Sequence, residues 1–306
     1  MSEPDNQFSF VFPGQGSQSV GMLAQIASSN EVIKTTVATA SDVLDLDLWQ
    51  LMQEGPQESL SLTENAQPVI LTASIALWRL WQQQGGAKPH MLAGHSLGEW
   101  SALVAADVLA FEDAVKLVQK RGQYMQQAVP VGVGAMAAII GLADALVESA
   151  CAEVSGDEQV VPVNYNSPGQ LVIAGHQLAV EKAIEVCKAN GAKRAMLLPV
   201  SAPFHTPLMK PAAEKLSAHL NDTQIQPPSI PVIHNVGVTC ESETENIKRR
   251  LLEQIYSPVP WVACVNALSD SCNTFIECGP GKVLAGLNRR INKSLTSFSI
   301  EGEEAF

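Results

Sequence analysis

One five-residue run constrains this chain more than any other: Gly94-His-Ser-Leu-Gly98. Residues 90–95 read as a short strand and residues 97–106 as a helix, so Ser96 stands where a strand turns sharply into a helix. The glycines permit the tight, strained turn that lifts a serine hydroxyl out of a sheet. The same turn aims the Leu97 backbone N–H at the space beside Ser96, where an oxyanion could sit.

The rest of the chain supplies an α/β pattern around that turn. Phe8-Ser-Phe-Val-Phe12 reads as a buried strand ended by Pro13-Gly14. Helical patterns cover residues 30–52, 68–84 and 111–129; the second carries a stripe of Ile70, Leu71, Leu77, Trp78 and Trp81. From 134 to 199 the pattern changes: strand 135–141, helix 143–154, strands 159–165 and 171–174, helix 179–190 and strand 194–198. The order β-α-β-β-α-β is the ferredoxin-like signature, and Asn166-Ser-Pro-Gly169 supplies a hairpin turn. We read it as a small subdomain, 131–199, inserted into a larger catalytic domain made of 1–130 and 200–306. Beyond Pro203 come helix 208–221, strand 232–236, helices 244–256 and 262–269, strand 274–277, the turn Gly279-Pro-Gly281 and helix 283–293. The last dozen residues read as a frayed tail.

Composition excludes several classes of function. Hydrophobic residues make up 46% of the 306 positions and charged residues 16%, enough for a sizeable core. The net charge of −12 leaves no general attraction for nucleic acid or an anionic membrane. None of the six cysteines forms a C-x-x-C pair, so no metal site is expected, and buried free thiols are. Residues 1–7 carry no basic run ahead of an apolar one, and the apolar stretch 131–143 is too short to span a bilayer. A soluble, cytoplasmic protein is the expectation.

A serine nucleophile needs a base. Of the six histidines, His95 adjoins Ser96 and reads as structural support, His176 and His219 read as surface residues, and His205 lies in the proline-bounded loop Ser201-Ala-Pro-Phe-His-Thr-Pro207. An α/β-hydrolase carries its triad in the order Ser, acid, His, with the histidine near the end. Here 72 residues follow His234 without another histidine, which argues against an ordinary lipase or esterase. A Ser–His pair oriented by something other than a carboxylate remains. Arg121 falls on the apolar stripe of its helix, beside Val118, Gly122 and Met125. It either snorkels out to solvent, pairs with a structural acid, or offers its planar fork to a substrate carboxylate. Pro13-Gly-Gln-Gly-Ser17 lacks nucleotide-loop spacing and fits equally a turn that brings N–H groups to an oxyanion.

Phe12-Pro-Gly-Gln-Gly-Ser-Gln18, Gly94-His-Ser-Leu-Gly-Glu99, Gln119-Lys-Arg-Gly122, Asn166-Ser-Pro-Gly-Gln170 and Glu277-Cys-Gly-Pro-Gly281 together resemble the malonyl-CoA:acyl carrier protein transacylase family of bacterial fatty-acid synthesis, over nearly the whole chain. The resemblance implies a hydrolase-like core with a mainly parallel sheet plus the ferredoxin-like insert. It implies Ser96 as acylated nucleophile, His205 as general base, Gln15 and Leu97 as oxyanion-hole N–H donors, and Arg121 as ligand of the malonyl carboxylate. Gln254 would orient His205 through an amide carbonyl, and Phe204 would crowd a 2-methyl branch in the acyl pocket. Trp100 departs from the pattern, which more often has tyrosine there.

The implied partners are malonyl-CoA and acyl carrier protein, with no cofactor, because the coenzyme A thioester is itself the substrate. Two other readings stay open on sequence: a hydrolase of acyl carrier thioesters, and a non-catalytic docking module of a synthase. Carrier proteins are acidic, so docking on this acidic chain calls for a local basic patch. Lys282, Arg289, Arg290 and Lys293 form one candidate, and Lys188, Lys193 and Arg194 another.

Overall fold

The computed structural model describes residues 7–200 and 202–301. Its strands are β1 (Phe8–Phe12), β2 (Met91–Gly94), β3 (Gly134–Ile140), β4 (Val160–Ser167), β5 (Gln170–His176), β6 (Arg194–Leu197), β7 (Val232–Ile233), β8 (Thr274–Glu277) and β9 (Thr296–Ser299). They form two sheets.

The first has the order β7-β2-β1-β8-β9, with every neighbouring pair parallel. Side chains alternate across a strand, and here both faces are apolar. Phe10, Phe12, Leu92, Val232 and Ile276 enter the main core, beneath the helices Glu31–Leu44, Thr63–Gln83 and Phe111–Gln127. Val11, Ala93, Ile233 and Phe275 enter a second core beneath Trp261–Ser269 and Val283–Ile291. A parallel sheet is covered on both faces for this reason. β1 has β2 on one side and β8 on the other, so the chain order reverses there, and that reversal opens a crevice at the C-terminal ends of the strands.

The second sheet has the order β4-β5-β3-β6 and is antiparallel throughout, which is the ferredoxin-like arrangement. Ala135, Ala137, Ile139, Leu171 and Ile173 pack on the helices Asp144–Val154 and Gln177–Ala189. Met136, Val172 and Ala174, on the other face, join the main core. Backbone bonds stitch β4 to the loop after Ile255: Val259 N–H donates to Val163 at 2.7 Å, and Tyr165 N–H to Val259 at 3.0 Å.

Four expectations need correction. The helix expected over 30–52 is two, Glu31–Leu44 and Leu48–Glu54, because Asp45 turns left-handed (φ 51°) and the Asp47 carboxylate caps the second by accepting from Gln50 N–H. The helix expected at 68 begins at Thr63 and is buried nearly all round rather than along a stripe, since it runs through the middle of the main core. The strand expected over 232–236 ends at Ile233, because His234 and Asn235 turn into polar contacts at the site. Part of the expected tail is β9, an edge strand whose Phe298 packs against the core. The tail's remainder after Glu301 lies outside the described residues. No helix among the described residues is long and apolar enough to cross a membrane.

Candidate active site

The turn after β2 places Ser96 at φ 52°, ψ −109°, a conformation costly for any residue with a Cβ. The flanking glycines are required by close approach. A Cβ on Gly98 would run into the Phe12 carbonyl, and one on Gly94 into the Gly98–Glu99 backbone. Both collisions are with backbone, which cannot swing aside. Gly98→Ala is therefore expected to destabilise the fold by about 3 kcal/mol, read as a lower denaturant midpoint. Asn235, just beyond the end of β7, braces the strained turn: its Oδ1 accepts Ser96 N–H at 2.9 Å, and its Nδ2 donates to Gly94 O at 2.8 Å.

His205 faces Ser96 across the crevice, with Nε2 2.7 Å from Ser96 Oγ. Its loop ends where Thr206 Oγ1 donates to Pro203 O at 2.8 Å and accepts Leu208 N–H; Ser201 of that loop lies outside the described residues. The ring's other nitrogen, Nδ1, donates to the main-chain carbonyl of Gln254 at 2.8 Å. That bond fixes the tautomer and leaves Nε2 as the acceptor for the serine proton. His205 is only 4% exposed. Burial, and then the nearby Arg121 cation, push its pKa down to about 3, so the ring is held neutral.

Arg121 is 1% exposed, and its guanidinium points into the same crevice. Nη2 lies 3.3 Å from Ser96 Oγ and donates to Gln254 Oε1 at 2.9 Å; Nη1 donates to Gln67 Oε1 at 2.8 Å. Both acceptors are neutral amides, and no carboxylate among the described residues touches the cation. Burial lowers its pKa to about 10, against the raising influence of Glu99. Gln254 serves several partners: its main-chain oxygen meets His205 Nδ1, while its side chain meets Arg121, Glu99 and Ser96 O.

A cleft of about 120 Å³ separates these groups, well under the ~300 Å³ low end for drug-sized ligands. Gln15 and Leu97 line it from the turns after β1 and β2, adjacent parallel strands whose ends face each other. Leu97 opens the Leu97–Ala105 helix, so its N–H has no intrahelical partner. Phe204 lines one wall, and Met136, Asn164, Leu198 and Val200 close the cleft from the side of the antiparallel sheet. His95 lines the same cleft and bonds Asn166 Oδ1 through Nε2 at 2.8 Å. His176 accepts Gln159 N–H, and His219 meets the Tyr124 hydroxyl at 2.9 Å, both away from the cleft. A much larger open groove, about 1040 Å³, lies elsewhere and includes Lys282 and Arg289. Arg290 of the same patch bonds Gln170.

Sequence reading passed over four residues at the site: Gln67, Glu99, His234 and Asn235. Glu99 stood inside the Gly-His-Ser-Leu-Gly-Glu motif, and its place in the first turn after the nucleophile was the available signal. The other three left no local signal, since each reaches the site only through the tertiary fold.

Comparison with known proteins gives a consistent set. The acyl transferase domain family matches residues 9–299. The malonyl CoA-acyl carrier protein transacylase of Escherichia coli is 54% identical over 300 residues, 98% of this chain and 97% of that one. An acyl carrier protein S-malonyltransferase from Vibrio cholerae, solved as a crystal structure, is 55% identical with a TM-score of 0.93 over 96% of each chain. A structure described as a type II PKS acyl-carrier protein in complex with its malonyl-transacylase matches at 49% identity and TM-score 0.96, over 98% of this chain and 97% of that one.

Proposed function

This chain belongs to the acyl transferase domain family, and from that premise we propose that it moves a malonyl group from coenzyme A to the phosphopantetheine thiol of an acyl carrier protein. His205 Nε2 takes the proton of Ser96 Oγ as the oxygen attacks the thioester carbonyl. The negative charge that develops on the carbonyl oxygen is met by the Gln15 and Leu97 N–H groups. When the carbon–sulfur bond breaks, the proton on His205 passes to the departing coenzyme A thiol. The carrier's thiol then gives its proton to His205 and attacks the Ser96 ester; the carbon–oxygen bond to Ser96 breaks, that proton returns from His205 to Ser96 Oγ, and the carrier leaves with the acyl group. The reaction so written uses no cofactor, because coenzyme A enters as substrate.

The observation that carries this reading is the buried Arg121 guanidinium 3.3 Å from Ser96 Oγ. Only a methylene separates the malonyl carboxylate from the reacting carbonyl, so a cation that close is within its reach. The small cleft holds the acyl end alone, with Phe204 restricting a branch next to the carbonyl. Every residue given a chemical role falls in 1–130 or 200–306, and residues 131–199 contribute cleft wall, which supports the division into catalytic domain and insert. A cytoplasmic location fits the substrates.

Intact-mass measurement after mixing with malonyl-CoA is the direct test. One malonyl adduct is expected on the parent protein and none on Ser96→Ala. An unmodified parent, or an adduct that survives in Ser96→Ala, sinks the proposal.

A further inference from the structure

Behind the serine lies a carboxylate that the steps above do not use. Glu99 is 0% exposed and touches neither His205 nor the cleft. Its Oε1 accepts from His234 Nδ1 at 2.7 Å. Its Oε2 accepts from Asn235 N–H at 2.9 Å and from Gln254 Nε2 at 2.6 Å. A buried carboxylate is costly unless donors meet it, and here three donors do.

Each group it holds supports a different part of the site. Asn235 bridges the two sides of the Ser96 turn. Gln254 holds His205 Nδ1 with its main-chain oxygen and Arg121 with its side-chain oxygen, and its Nε2 also donates to Ser96 O at 3.0 Å. A side-chain amide can flip, and its two ends then exchange roles. Between a carboxylate and a guanidinium only one orientation works: nitrogen toward Glu99, oxygen toward Arg121.

We propose that Glu99 is a positioning residue for the acyl transfer, fixing Asn235 and Gln254 and through them the approach of His205 to Ser96. It stands in for the acid of a serine triad at one remove, reaching the base through an amide rather than by contact. The inference rests on the Ser96–His205 reading above.

The test is Glu99→Gln, which keeps shape and removes the charge, read by single-turnover acylation with malonyl-CoA and with acetyl-CoA. The maximal acylation rate is expected to fall on the order of 10- to 100-fold, the effect of losing one buried charge-assisted hydrogen bond. It should fall by a similar factor for both thioesters, with half-saturating concentrations within about threefold of the parent, because no group touching substrate has changed. A folded Glu99→Gln protein, judged by its melting transition, that acylates at the parent's rate overturns the inference. So does a loss expressed only in the half-saturating concentration. If that variant fails to fold, Glu99→Asp keeps the charge and withdraws it from Gln254 and Asn235; a folded Glu99→Asp protein at the parent's rate overturns the inference equally. Failure of the parent itself to acylate overturns instead the Ser96–His205 reading.

Discussion

Replacing His205 with alanine should slow acylation of Ser96 by about 10³–10⁶. The ring is the sole proton acceptor placed against Ser96 Oγ among the described residues, at 2.7 Å, and it is held there from behind by the Gln254 carbonyl. Residual turnover would come from oxyanion stabilisation and binding alone. The pH profile carries the second half of the expectation. A neutral His205 is the active form, and burial with the Arg121 charge depresses its pKa to about 3. Acylation by the free enzyme should therefore persist well below pH 6.5, the ordinary histidine value. Removing Arg121 removes a cation that disfavours imidazolium, so the acid limb of kcat/KM should move up. The same depression has a consequence for stability. An unfolded chain protonates His205 near pH 6.5 and the folded chain only near 3, so this group's contribution is present above 6.5 and declines as pH falls through that window. An acid limb at the ordinary histidine value, unmoved by Arg121→Ala, would remove the assigned base.

Arg121→Ala should lower kcat/KM for malonyl-CoA by about 10²–10³ and for acetyl-CoA by less than about tenfold. A carboxylate brought into a buried cleft loses its water, and without the guanidinium nothing repays that loss. Acetyl brings no carboxylate and forfeits only the weak 3.3 Å contact between Nη2 and Ser96 Oγ. The partners already in place sharpen the expectation. Gln67 and Gln254 present neutral oxygens to the cation, so it is positioned without being neutralised, and an incoming carboxylate meets an undiminished charge. Equal losses for both thioesters would leave Arg121 as a structural cation and withdraw the preference for an acid-bearing acyl group.

Much of this was legible in the chain, for identifiable reasons. The Ser96 turn announced itself because two close backbone approaches admit only glycine, at Gly94 and Gly98. The insert announced itself because its strands and helices each carry their own period, and β3 to β6 pair almost locally. Arg121 stood out as a charge on an apolar stripe. The misses share a cause: each depends on what lies across the fold. The break at Asp45 is a single left-handed residue inside a helical pattern. β9 gains its place by pairing with β8, whose own place depends on β1. Glu99 stands in the sequence only as the last residue of its motif, and its partners His234, Asn235 and Gln254 come from much later segments.

The antiparallel sheet has a consequence for how such an enzyme can change its taste in acyl chains. Ser96 and Arg121 reach the cleft from the turn after β2 and from the helix Phe111–Gln127, whereas Met136 belongs to the antiparallel sheet and Leu198 follows its last strand. The reacting groups and part of the cleft wall come from different stretches of the chain: Met136 and Leu198 from the insert, Ser96, Arg121 and His205 from the segments around it. Met136 and Leu198 make no contact in the Ser96–His205 hydrogen bond, so a change of side-chain volume at either is expected to alter the room in the cleft and leave that bond in place.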